Sequence, residues 1–151
     1  MAERLSFAVH GMPAPQGSKR HVGNGIMVES SKHVRPWREA VKDAAWVAAT
    51  QASWKQADGP VVLSVVFFFH RPKSHWRTGR NSDLLRAGVP TAPAGKPDLS
   101  KLVRSTEDAL TDAGIWRDDA QVTDLRATKR YTGGAGLLLV PGAVITVYEA
   151  P

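Results

Sequence analysis

The stretch KPDLSKLVRSTEDALTDAGIWRDDAQV, residues 96–122, decides how this chain reads. Leu99, Leu102, Val103, Thr106 and Leu110 recur at i, i+3, i+4, i+7 and i+11, which predicts one buried face of a helix. Pro97 biases Lys96 towards an extended conformation and makes Asp98 a natural N-cap. Gly114 ends the helix, and the adjacent acids Asp118 and Asp119 lead into the next strand. One carboxylate therefore sits at the helix start and two more on the turn after its end.

The flanking sequence supplies a sheet for that helix. Residues 121–131 alternate, with Val122, Asp124, Arg126, Thr128 and Arg130 on one face and Leu125 and Ala127 on the other. Residues 61–70, with three consecutive Phe, predict a central strand covered on both faces, and His70 ends it as a structural residue. Residues 5–9 predict another strand, and residues 36–51 a first helix with Trp37, Val41, Ala44 and Ala48 as its apolar stripe. Trp37 belongs to the core on this reading. Residues 137–140 and 143–148 read as a hairpin about Pro141-Gly142. Gly133, Gly134 and Gly136 open no helix, so they read as turn glycines and not as a phosphate loop. The expectation is one α+β domain over residues 1–151, with a mixed, mostly antiparallel sheet and two main helices.

Composition narrows the partners. The chain has 151 residues and a formal net charge of +6, with 42% hydrophobic and 23% charged residues. Its pI near 10.0 points to a polyanionic partner. With no cysteine, disulfides, thiolate chemistry and zinc fingers are excluded. The N-terminus lacks the pattern of a secretory signal, and the longest apolar run falls far short of the roughly 20 residues that span a bilayer. The expectation is a cytoplasmic protein without membrane association.

Two stretches concentrate the basic charge. Residues 12–25 form a Pro/Gly-rich segment whose Gln16, Ser18, Lys19 and Arg20 can donate to phosphates; a solvated connection is the competing reading. Residues 71–95 carry Arg71, Lys73, Arg77, Arg80 and Arg86 around His75 and Trp76. A loop of that length is usually functional or disordered, and cations around an aromatic ring suit phosphates and a stacked base. Lys101, Lys129 and Arg130 add positive charge beside the acidic segment.

Carboxylates inside a basic chain suit phosphodiester cleavage. Magnesium held by two or three of them can activate water and neutralise the leaving oxyanion, in the fullest version with two ions about 4 Å apart. Asp98, Asp118 and Asp119 supply that number. The same residues also read without a metal: Asp98 as an N-cap, Asp108 as the i,i+4 partner of Arg104, and Asp118 as a solvated turn residue.

The motifs KPDLSKL, DAL and GIWRDDAQV together resemble the RusA family of Holliday junction resolvases, most strongly over residues 96–122 and more thinly over residues 37–41 and the GSKR stretch. The resemblance implies a homodimeric, magnesium-dependent endodeoxyribonuclease that makes paired nicks in branched DNA, with manganese as an alternative ion. The implied setting is a phage or bacterial cytoplasm. It assigns metal ligands to Asp98 and Asp119, with Asp118 in support. It also places Ser100 where the family carries a further ligand Asp, and Arg104 where it carries a catalytic Lys. Arg104 keeps a charge for the scissile phosphate but, unlike Lys, does not serve as an acid. Ser100 removes a negative charge from the ion site. Glu107 lies roughly 10.5 Å along the helix from Ser100, able to reach an ion shifted towards Asp119, although pairing with Arg104 is the simpler reading. The rival is a DNA- or RNA-binding protein with a degenerate metal site; an isolated protein-interaction domain is a third reading, which salt-independence would reveal.

Overall fold

A run of β-branched and aromatic residues, VVLSVVFFF, forms β4 (Val61–Phe69) at the middle of the molecule. The computed structural model describes residues 3–17, 19–21, 23, 27–29, 32–133 and 138–150. Along the chain β1 (Arg4–His10), β2 (Lys19–His21), β3 (Met27–Glu29) and α1 (Val34–Ala52) precede β4, and α2 (Leu99–Asp112), β5 (Val122–Tyr131) and β6 (Gly142–Glu149) follow it. The main sheet has the order β1-β6-β4-β5. β6 runs antiparallel to both β1 and β4, whereas β5 runs parallel to β4. This is the expected mixed, mostly antiparallel α+β arrangement with two main helices. No helix among the described residues is long and apolar enough to cross a membrane.

Alternation places Leu63, Val65 and Phe67 of β4, Ile145 and Val147 of β6, and Leu5 and Val9 of β1 on one face of the sheet, all buried. The helices cover that face. Trp37 and Val41 of α1 and Leu102, Ala109 and Leu110 of α2 complete the core. Trp37 is core as expected, and its indole donates to Thr106 Oγ1 (3.2 Å) across the interface between the helices. The opposite face is more open: Val62, Ser64 and Val66 are half-buried. β4 is thus central but fully covered on one face only.

Two local expectations change. The segment after Pro141 does not fold back on residues 138–140; β6 inserts between β1 and β4. Gly142 meets that insertion, since a Cβ there would strike the Val9 carbonyl. The Pro/Gly-rich N-terminal segment also leads into a short antiparallel pair, β2 with β3. Ser18 and the side chains of Lys19 and Arg20 lie outside the described residues.

Candidate active site

α2 carries the site because its two ends are built differently. At its start Asp98 is the N-cap, with extended backbone, and its carbonyl accepts from the Lys101 and Leu102 amides (both 3.1 Å). Its carboxylate makes no capping bond, in contrast to the N-cap reading, and faces the Lys101 ammonium at 3.7 Å. The Lys96–Pro97 peptide is cis. Lys129 of β5 holds this end down, its ammonium donating to Gly95 O (2.7 Å) and Pro97 O (2.9 Å). A cleft of about 590 Å³ opens here, with Asp98, Lys101, Met12 and Phe69 in its wall.

The other end closes with a glycine. Gly114, at φ +77°, lets its amide donate to Thr111 O while the Ile115 amide donates to Leu110 O, and the chain turns sharply. Trp116 is then buried, its indole donating to Thr111 Oγ1 at 2.7 Å. The turn that follows is held by Gln121. Its Oε1 accepts from the Arg117 (2.8 Å) and Asp118 (3.0 Å) amides, and its Nε2 donates to Ala57 O and Gly59 O, both at 2.9 Å. Asp118 caps the 3-10 turn Asp119–Gln121 by accepting the Ala120 amide at 2.8 Å. That hydrogen bond, helped by one from Asp119, draws the Asp118 pKa down. Asp119, sharing its hydrogen bond with Asp118 and repelled by it and by Asp108, is shifted upwards.

This fold-back brings Asp119 within electrostatic reach of Glu107 on α2. Glu107 is half-buried, and burial first, then the charges of Asp119 and Asp108, push its pKa up to about 7, against a smaller downward pull from Arg104. Glu107 is therefore a member of the acidic cluster and not simply an exposed helical partner for Arg104. Burial of Thr106, Ala109 and Leu110 explains why: Glu107 flanks the helix's buried stripe, on the side where the 3-10 turn returns. Gln121 and Glu107 are the residues to which sequence reasoning gave too little weight. The DDAQV string marks Gln121, but two of its four bonds go to the carbonyls of residues 57 and 59, far away in the chain.

The structure thus sets Asp119, Asp118, Asp108 and Glu107 in electrostatic reach of one another, with Asp98 and Ser100 near the other end of α2. Ser100 and Arg104 are exposed on α2 between the two ends. Asp98 and Glu107 are nine residues apart, roughly 13 Å along the helix axis. A divalent cation needs oxygen ligands converging on one point. Among the described residues no three His, Cys, Asp or Glu side chains are placed to hold one.

The basic residues take two forms. Within residues 71–95 the arginines also knit the loop: Arg71 stacks over the Tyr131 ring (4.2 Å) and donates to Pro90 O, Arg77 donates to Leu85 O, and Arg86 to Trp76 O. Two 3-10 turns, Lys73–His75 and Gly79–Asn81, give the loop more order than its composition suggests. A cleft of about 820 Å³ lined by Lys73, Trp76, Arg77 and Arg86 opens on it. Lys73, Arg77, Arg80 and Arg130 are exposed, and Lys101 and Lys129 are engaged at the helix start as described.

A basic chain folded around one anionic turn has the layout of a nuclease. Residues 9–139 match the family described as endodeoxyribonuclease RusA, and the chain belongs to that family. These enzymes are Holliday junction resolvases that hydrolyse phosphodiester bonds in DNA and depend in general on a divalent metal. The chain is also similar to an uncharacterized protein, YqaN, of Bacillus subtilis (strain 168), with 28% identity over 131 residues, 85% of this chain and 88% of that one.

Proposed function

We propose that this endodeoxyribonuclease is a magnesium-dependent, structure-selective enzyme that acts on four-way junctions or related branched DNA by paired nicking, in a bacterial or phage-infected cytoplasm. Manganese is the alternative ion. The observation that carries the reading is the acidic turn: Asp119 and Asp108 act on Glu107, and Asp118 and Asp108 act on Asp119, within a chain of net charge +6. Like charges held this close favour either protons or a cation. When bound, a divalent ion supplies water activation and neutralises the leaving oxygen.

The chain's own residues have separate tasks. Asp98 and Asp119 are the proposed ligands, with Asp118 fixing the turn that presents Asp119. Arg104, exposed midway along α2, contacts the scissile phosphate as a fixed guanidinium donor. Ser100 leaves the Asp98 end with one anion fewer than the family pattern. Lys19, Arg20, Lys73, Arg77, Arg80 and Arg130 contact the DNA backbone; Arg71, Lys101 and Lys129 contribute charge while holding loop and helix start in place.

The test is cleavage of a labelled synthetic four-way junction, in magnesium and in chelator, by wild type and Asp119→Asn. Metal-dependent paired nicks that vanish in the variant while junction affinity remains support the reading. Tight binding without nicks in either magnesium or manganese defeats it and favours the non-catalytic alternative.

A further inference from the structure

Residues 73–86 form a small closed loop that two arginines stitch together. Trp76 and Leu85 bridge antiparallel, with the Arg77 amide donating to Leu84 O (2.9 Å) and the Arg86 amide to His75 O (2.8 Å). The side chains cross the same bridge in both directions: Arg77 Nε donates to Leu85 O at 3.2 Å, and Arg86 Nε to Trp76 O at 2.9 Å. Each guanidinium is fixed through Nε, while its Nη groups make no hydrogen bond or ion pair among the described residues. Two cations are thus held in place with most of their donors unused.

Trp76 lies at that bridge and is half-buried. The indoles of Trp37, Trp54 and Trp116 each donate to the chain, as buried tryptophans usually do, but that of Trp76 donates to no described residue. Trp76 instead borders two clefts. One is the cleft of about 820 Å³ in the loop, whose walls are largely apolar and carry Lys73, Arg77 and Arg86 against the single acid Asp83. The other, of about 370 Å³, continues to Lys129 and Tyr131 on the last rungs of β5, where Lys129 holds the start of α2.

We propose that the larger cleft is a subsite for one unpaired nucleobase of a DNA strand, stacked on Trp76, with the flanking phosphates on Lys73, Arg77 and Arg86. An apolar slot with a flat ring suits a base, and cations in excess of acids suit the strand that carries it. A cleft of that volume can enclose the base. Stacking on a single ring does not exceed the cost of drawing a base out of an intact duplex. The cleft therefore takes a base already free of its partner, which a branch point can offer and a continuous duplex does not. This deepens the nuclease reading and rests on it for the substrate. Phosphate contacts hold DNA of any shape, whereas this cleft distinguishes branched DNA from linear duplex.

The test is a titration in chelator, so that nothing is cut. A junction with a fluorescent aminopurine as one unpaired nucleotide at its branch point is mixed with wild type, Trp76→Phe or Trp76→Ala, beside a linear duplex of equal length. Wild type quenches the fluorescence on binding, and Trp76→Phe keeps most of the quenching. Trp76→Ala loses it and binds the junction about tenfold more weakly, while all three proteins bind the duplex within about twofold of one another. Equal losses on junction and duplex in Trp76→Ala assign the ring to loop structure and overturn the subsite, as does a wild type that binds without quenching. A wild type that quenches and discriminates as expected, yet makes no nicks in magnesium or manganese, supports the subsite and fails the nuclease reading. One that nicks junctions while Trp76→Ala matches it in quenching and affinity fails the subsite alone.

Discussion

The two ends of α2 use the same carboxylate chemistry to opposite effect. At the start, Asp98 faces Lys101, with Lys129 nearby binding the chain that leads into the helix, so its charge is already answered. At the far end Glu107 feels Asp119 and Asp108, and Asp119 feels Asp118, with Arg104 the one cation among the described residues that tempers Glu107. Both are anionic positions on one helix and its flanking turn. What separates them is whether the fold supplies the counter-charge or leaves it to be supplied. The end with the smaller counter-charge is the one whose behaviour should change most if a divalent ion is added.

Charge reversal sharpens this contrast most strongly. Asp119→Lys is expected to reduce junction cleavage by about a hundredfold or more, the equivalent of a few kcal/mol of transition-state stabilisation. Lys101→Glu, at the balanced end, should change it by less than about tenfold, as expected for an exposed pair. Comparable losses in single-turnover assays would break the comparison.

Gln121→Ala acts through the turn. Losing four hydrogen bonds, two of them to carbonyls of residues 57 and 59, should cost about 1–3 kcal/mol. For a chain of this size that lowers Tm by roughly 3–10 °C. Gln121→Glu keeps the acceptor for Arg117 and Asp118 but loses both donors, so calorimetry should place it between the two. Cleavage should fall in the same order, since Asp119 rides on this turn.

A smaller effect is written in pH. The Glu107 pKa is raised from 4.5 to about 7, so between those values the folded chain binds the proton that the unfolded chain has lost. Stability therefore falls as pH rises through that window, and it is fully retained only below pH 4.5. In chelator, Tm should decline from pH 4.5 to 7, and Glu107→Gln should flatten the decline and exceed wild type at pH 8. Magnesium added at pH 8 should raise the wild-type Tm more than that of Glu107→Gln. Ser100→Asp is the mildest change: a further anion at the balanced end should strengthen magnesium binding by a few-fold, and no change in a titration would leave Glu107 or water in that place.

How much of this was legible in the sequence follows from the range of each interaction. The boundaries of α2 were local: Asp98 before it, the 3.6-residue period within it and Gly114 after it. Asp118 and Asp119 stood out for the same reason. The place of β6 was not local. Pro141-Gly142 carries the signal of a hairpin turn, but Gly142 is used instead where β6 passes close under Val9, and only the assembled sheet reveals that. Glu107 was hidden by its own helix, since Arg104 offered a sufficient partner three residues away. Its burial comes from a turn twelve residues later, fixed by Gln121 to carbonyls before β4. The distance between Asp98 and Asp119 was hidden too, because a short spacing in sequence spans a helix and its return strand.

The knitting of residues 71–95 has a consequence for how such a chain diversifies. The segment leaves β4 where Arg71 lies on Tyr131 and rejoins α2 where Lys129 grips Gly95 and Pro97. Both anchors sit on the last rungs of β5, so the interior of the segment adds no rung to the sheet. Changes to its length or lettering between these two clasps leave the rungs of the sheet as they are.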